Sequence, residues 1–291
     1  MTGIVLLDKG GDISSFWAAK QLKRLYNEKK LGHTGTLDPM ASGLLPVMLG
    51  SATKFLPYLP SHDKAYTATL KLGVTTDTLD ITGEVISTRE VSVSPEQFTE
   101  CMKSFEGKIK QVPPMYSAIS IDGVRLYTLA RQGIEVEREA RDVEIKKIEC
   151  IGSSGDEYTI DVHCSSGTYI RSLVYDIGEK LGCGAVLTVL RRTWANGFSV
   201  ENAKTLDELR NASPEELESF VLPIDKALEE YPQIIITDNQ SKRFKNGGEL
   251  DRARLKNNPD EGMYRVYSHS REFLGVGEIT GEILAVRRLL V

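Results

Sequence analysis

"LGHTGTLDPMASGLLPVMLGSATK" (residues 31–54) sets one histidine and one aspartate among four glycines and then runs into apolar residues. A carboxylate in a stretch so poor in bulky side chains asks for a reason. Gly32, Gly35 and Gly43 permit positive φ and the close approach of a large ligand, and Pro39 fixes the chain just past Asp38. An aspartate held this way can act as nucleophile or general base on a substrate that itself supplies most of the reactive structure. An Asp-Pro pair is equally ordinary turn chemistry.

The flanking segments supply a scaffold. "GIVLLDK" (3–9) reads as a buried strand entering a Gly-Gly turn. "SSFWAAKQLKRLYN" (14–27) reads as a helix capped by Ser14 or Ser15, with Ala18, Leu22 and Leu25 on one face. In "AYTATLKLG" (65–73), Tyr66, Ala68, Leu70 and Leu72 alternate with Thr67, Thr69 and Lys71, the pattern of a strand with one buried face. "SPEQFTECMKSFEG" (94–107) carries a capping box (Ser94, Gln97) and an inner stripe of Phe98, Cys101, Met102 and Phe105. "RLYTLARQG" (125–133) predicts a short helix closed by Gly133. Across residues 157–184 a period of two (Tyr158, Ile160, Val162, Cys164) gives way to one near 3.6 (Ile170, Leu173, Val174, Ile177, Leu181), so strand, turn and helix are expected in that order. Cap signatures at "TLDEL" and "SPEE" predict short helices over 205–220. After residue 231 the texture becomes short β-like runs, "QIIIT", "MYRVYS", "EFLGVGEI" and "EILAVRRLLV". The expected organisation is an α+β domain over residues 1–230 and a small all-β module over 231–291.

Composition bounds the function. The chain has 291 residues, 41% hydrophobic and 26% charged, enough to bury a sizeable core. No apolar run approaches the ~20 residues that span a bilayer, and the N-terminus is charged too soon for a signal peptide. Cys101, Cys150, Cys164 and Cys183 lack C-x-x-C spacing and sit among apolar neighbours, so they read as buried thiols of a cytoplasmic protein. The net charge of −5 is unevenly spread: residues 1–60 carry seven basic and four acidic side chains, and residues 231–291 carry ten and eight. Both ends are mildly basic, which leaves room for a local positive face. Phosphate-loop and dinucleotide fingerprints are missing, the four histidines show no ligand spacing, and no G-x-S-x-G elbow occurs. Neither a metal nor another cofactor is expected.

The stretch from Gly32 to Lys54 closely resembles the signature of the TruB-type tRNA pseudouridine synthases. "GIVLLDKGGDISSF" (3–16) is similar to their first strand and turn, and "KAYTATLKLGVTTDTLD" (64–80) to the segment carrying an active-site tyrosine. Residues 111–141 resemble their central block, and 164–192 the segment carrying an arginine and a second tyrosine. "FLGVGEI" (273–279) is more loosely similar to their RNA-binding PUA module. The blocks occur in family order.

The resemblance implies a mixed-sheet α+β catalytic domain, a small β-barrel-like PUA module, and conversion of the T-loop uridine of tRNA to pseudouridine. It implies that Asp38 is the essential carboxylate, attacking the sugar or promoting loss of a C2′ proton, with Arg171 paired to it and lowering its pKa. Tyr66 would stack on the uracil or act at the sugar, Tyr169 would contact Asp38 or Arg171, and Leu190 would line the pocket. Each of these also has a plain structural reading: an ion pair at a helix start for Arg171, core packing for the tyrosines and the leucine. His33 is implied to help extrude the stacked base. Lys9 and Lys54 are expected to meet RNA phosphates, with Arg191, Arg192, Lys242, Arg243 and Lys245 extending that surface. The compact chain, which starts at its first strand, fits a monomer that works without guide RNA.

Overall fold

The computed structural model describes residues 1–60 and 62–290. Seven strands form the body of an eleven-stranded mixed sheet: β1 (Gly3–Lys9), β2 (Ser42–Leu49), β3 (Lys64–Leu72), β4 (Gly107–Gln111), β5 (Arg141–Ser154), β6 (Glu157–Cys164) and β7 (Ala185–Ala195). Their spatial order is 1-2-7-3-6-5-4, and all neighbours are antiparallel except β2 and β7. That parallel junction has only two register pairs, Arg191 with Ser42 and Arg192 with Gly43. It is a short seam that joins the N-terminal hairpin to the rest of the sheet.

Helices α1 (Ser15–Leu25), α2 (Pro95–Lys103) and α3 (Ile170–Leu181) share one face of the sheet. Ala18 and Leu22 of α1, Phe98 and Met102 of α2, and Leu173 and Ile177 of α3 meet Leu7, Val47, Ala68, Leu70 and Ile160 there. The alternation in β3 is realised: Tyr66, Ala68, Leu70 and Leu72 are buried. Strands β1 and β2 are buried on both faces, which is why they read as continuous apolar runs. Their second face packs Ile4, Leu6, Leu44 and Met48 against the 3-10 segment Gly50–Tyr58 and Ile224–Leu228.

The helix ends follow their expected chemistry. Ser14 Oγ accepts from Trp17 N, and Ser94 and Gln97 complete a capping box. Capping boxes also open the short helices at Leu206–Asn211 and Pro214–Ser219. Helix α3 has no side-chain cap of its own and ends at Gly182, φ +81°. Cys164 and Cys183 are buried, whereas Cys101 and Cys150 are only half-buried; all four are free thiols.

The C-terminal residues form a separate five-stranded sheet: β8 (Gln233–Ile235), β9 (Gly262–Tyr267), β10 (Phe273–Thr280), β11 (Ile283–Leu289) and an edge pair at Leu250–Asp251. It curls without closing, a half-barrel consistent with a PUA-like module. The expected run 282–291 ends at Val291, outside the described residues. The all-β expectation needs correcting. Helix α4 (Asp238–Lys245) lies between β8 and β9, started by a Thr237–Gln240 capping box, and Phe244 is its buried anchor. So polar a helix shows little apolar periodicity. Val276 enters the second-face core of the large sheet, the Phe273 and Phe55 rings lie 5.9 Å apart, and Tyr267 donates to Asp225 at 2.7 Å. Among the described residues no helix is long and apolar enough to cross a membrane.

Candidate active site

Asp38 sits on the loop between the short strand Leu31–His33 and β2, and that loop is tied down from behind. Ser15 Oγ donates to Leu37 O and accepts from Leu37 N, both at 2.8 Å. Lys9 Nζ donates to Pro39 O at 3.2 Å and to Gly10 O and Ile13 O at 2.9 and 2.8 Å. A turn closes where Ala41 N donates to Asp38 O. The expectation that Lys9 meets RNA phosphate is therefore corrected: its side chain is fully buried and its three donors are spent on backbone carbonyls. Burial lowers its pKa to about 8, partly opposed by the charge of Asp38. The glycine reading is refined as well. Gly43, φ +101°, is needed because a Cβ there would lie 2.3 Å from Arg192 O. Its freedom serves the seam with β7 rather than a ligand.

Across the seam stands Arg171, the second residue of α3 and 4% exposed. Its Nε lies 2.9 Å from Asp38 Oδ2. Its Nη1 donates to Thr78 O at 3.0 Å and its Nη2 to Tyr116 O at 2.8 Å, while Asp80 Oδ2 lies 3.6 Å from Nη1. Asp80 is buried and accepts from Thr78 Oγ1, Thr82 N and Thr82 Oγ1. The start of α3 is itself clamped: Gln111 Oε1 accepts from Tyr169 N at 2.7 Å, and Gln111 Nε2 donates to Tyr169 O at 3.0 Å. The guanidinium is thus fixed before any ligand arrives.

The Asp38 side chain is 34% exposed, open on its cavity side. The expected depression of its pKa is not found. Burial raises it, the neighbouring Asp80 charge adds to the rise, and Arg171 and Lys9 pull it back without cancelling it. Desolvation outweighs the ion pair at this position.

Asp38 opens into a cavity of about 320 Å³ whose walls include Tyr66, Tyr169, Arg171 and Leu190. That size suits one bound ligand group. Tyr66 is buried, and burial pushes its phenol up to about 12, so it presents a neutral hydroxyl and an apolar ring. The Tyr169 phenol is also raised by burial. Four of the residues predicted to be catalytic therefore meet at one cavity, and Leu190 joins them.

His33, Lys9 and Lys54 do not line that cavity. His33 pairs with Val47 of β2, and burial and the Arg192 charge lower its pKa, leaving a neutral ring. Lys54 lies on the Gly50–Tyr58 segment. Arg192, expected on a phosphate-facing surface, is fully buried and donates to Leu44 O and Gly35 O. Arg191 forms a bidentate pair with Asp8. The sequence reading missed Asp80, Gln111 and Lys64. Lys64 lines the cavity and was detectable, because it precedes Tyr66 by two residues on an alternating strand. Asp80 and Gln111 reach the site by long-range contacts that leave no local pattern.

Comparison with known proteins gives this geometry a family. The TruB family pseudouridylate synthase N-terminal domain matches residues 23–170, the tRNA pseudouridylate synthase B C-terminal domain matches 171–229, and the pseudouridine synthase II TruB C-terminal domain matches 232–290. The tRNA pseudouridine synthase B of Actinobacillus pleuropneumoniae is 45% identical over 283 residues, covering 96% of this chain and 92% of that protein. The protein of the same name from Clostridium tetani is 43% identical over 293 residues, covering 100% of each. Among solved structures, a chain of a Cbf5-Nop10-Gar1 complex superposes with a TM-score of 0.75 at 26% identity, covering 99% of this chain and 84% of that one. On full-length identity, on family matches over residues 23–229 and 232–290, and on shared architecture, the chain belongs to the TruB family of pseudouridylate synthases and is an isomerase of that class.

Proposed function

We propose that this protein converts the T-loop uridine of tRNA to pseudouridine, with Asp38 as the essential carboxylate and without guide RNA. The observation that carries this reading is the half-open Asp38 carboxylate, locked to a buried arginine at the mouth of a cavity with two tyrosines. The reaction breaks C1′–N1, turns the uracil while it is held, and bonds C5 to C1′. Both pieces of the substrate remain in the product, so the site has to supply a carboxylate at the sugar, a pocket for the free base and protection from water. Asp38 meets the electron demand at C1′ by adding to it or by taking the C2′ proton. A primary isotope effect with C2′-deuterated uridine marks the second route.

In this reading Arg171 orients Asp38, Tyr66 stacks on the uracil with its neutral ring, and Tyr169 and Leu190 close the pocket. His33, neutral and half-buried next to the site, takes the place of the extruded base by stacking; a neutral imidazole is better suited to that than to pairing with phosphate. Residues 1–230 act as the catalytic domain and 231–291 as the RNA-binding module, in a cytoplasmic monomer. Tight similarity to full-length proteins named tRNA pseudouridine synthase B, against 26% identity to a chain from a multiprotein complex, favours action without guide RNA.

The test is incubation of the purified protein alone with an unmodified, uridine-labelled tRNA transcript, followed by mapping of the changed nucleoside. One pseudouridine in the T-loop is expected. Release of free uracil would indicate a hydrolase, and product only when a guide RNA is added would overturn the stand-alone reading.

A further inference from the structure

Lys64 opens β3 and shares its cavity face with Tyr66, two residues on. Its ammonium lies over Gly35: a methyl group there would come 3.3 Å from Lys64 Nζ and 3.7 Å from Arg192 Nη1. Among the described residues Lys64 Nζ has no hydrogen bond and no ion pair, and the buried Arg192 Nη1 has no partner either. A lysine half-withdrawn from water and left without a direct ion pair is an expensive arrangement. The groups around it are Arg192 on β7, Cys164 on β6, and Asp63, which is paired with Lys146; burial and the Arg192 charge lower its pKa, and Asp63 and Cys164 oppose that without cancelling it. Asp63, already engaged by Lys146, offsets that cost only in part.

The proposed reaction provides the missing partner. When C1′–N1 breaks, N1 keeps the bonding electron pair, and the resulting negative charge spreads over the uracil ring onto O2 and O4. C5 of this anion then bonds to C1′, the C5 proton leaves to solvent, and N1 takes up a proton, so that the product is an isomer of the substrate. We propose that Lys64 is a catalytic residue whose ammonium stabilises the uracil anion between cleavage and re-joining. Asp38 and Arg171 belong to the sugar side of the cavity, and Lys64 to the wall against which Tyr66 would hold the base. A fixed cation that gains a partner only once the base is anionic favours the transition state over the bound substrate. Substrate uracil is neutral and draws little from it.

This inference rests on the proposed function, and the experiment separates the two. Lys64→Met and Lys64→Arg are compared with the unaltered protein in single-turnover assays on tRNA transcript, with tRNA affinity measured in parallel and folding checked by thermal unfolding. For Lys64→Met the rate at saturating tRNA is expected to fall about 10²-fold or more while Kd changes less than about threefold. Lys64→Arg is expected to retain most of the rate and to lose the alkaline limb of the wild-type profile. That limb reflects loss of the Lys64 charge as pH rises through its lowered pKa, and arginine does not titrate there. A weaker Kd with an unchanged saturated rate would make Lys64 a phosphate anchor and overturn the proposal, as would unchanged kinetics. Failure of the unaltered protein to make pseudouridine would instead overturn the proposed function.

Discussion

Gly43→Ala probes the seam on which the site geometry depends. Asp38 precedes β2, while Arg171, Tyr66 and Leu190 all belong to the other side of the β2–β7 junction, which consists of two register pairs. A Cβ at residue 43 would stand 2.3 Å from Arg192 O and 2.7 Å from Arg192 N, against an ordinary contact of 3.4 Å or more. Strand β7 must therefore retreat by about 1 Å, enough to break a backbone hydrogen bond. Losing one or both of these bonds costs about 1–3 kcal/mol. Forcing alanine to φ +101° adds roughly 1–2 kcal/mol. The expected destabilisation is about 2–5 kcal/mol, read as the shift in a urea unfolding curve at unchanged slope. The same ~1 Å displacement of the carboxylate from its cavity should lower the single-turnover rate of the remaining folded protein about 10²-fold. A loss below about 1 kcal/mol with full activity would show that the seam does not set the geometry.

Lys9→Met removes three hydrogen bonds to carbonyls, including the one that holds Pro39. Relief of a buried charge offsets part of that loss, so a net destabilisation of about 2–4 kcal/mol by denaturant titration is expected, with tRNA affinity of the folded fraction unchanged. A selective loss of affinity would restore the phosphate-contact role. With Asp38 as the proposed essential carboxylate, the rate is expected to require its ionised form; because its pKa is raised, activity should be lost as pH falls through a value above that of a free aspartate. In Asp80→Asn the neighbouring charge that raises that pKa is gone, so the acid limb should move to lower pH, while Arg171 loses an anchor and the rate drops about tenfold. An acid limb that stays in place would separate Asp80 from Asp38 electrostatically.

Much of the scaffold could be read locally because its determinants are local. Alternation in β3, the Ser94–Gln97 box and the change of period near Gly167 depend on neighbours a few residues apart, and each element formed where its pattern lies. The helix Asp238–Lys245 was hidden because only Ser241 and Phe244 face inward, too few to show a period. The site was legible only through its resemblance to a family, since nothing in "GTYIRSL" reveals that Arg171 reaches Asp38. Net burial was not legible either. The carboxylate was expected to be pulled down by its arginine, yet burial and the unforeseen Asp80 raise it. Lys9 and Arg192 looked like RNA contacts in a basic chain segment, and the fold buries both. Charge in sequence does not say which face of a strand it will occupy.

Tritium release measures the proposed role of Asp38 most directly. Forming C5–C1′ expels the hydrogen on C5, so tRNA made with uridine tritiated at C5 releases label only when the base has been re-joined. Asp38→Asn keeps the shape of the side chain and removes its charge. Its tRNA binding is expected within about threefold of the unaltered protein, with tritium release reduced by about 10⁴-fold or more in a single turnover. Release at the unaltered rate, from a folded and tRNA-binding Asp38→Asn protein, would contradict that role.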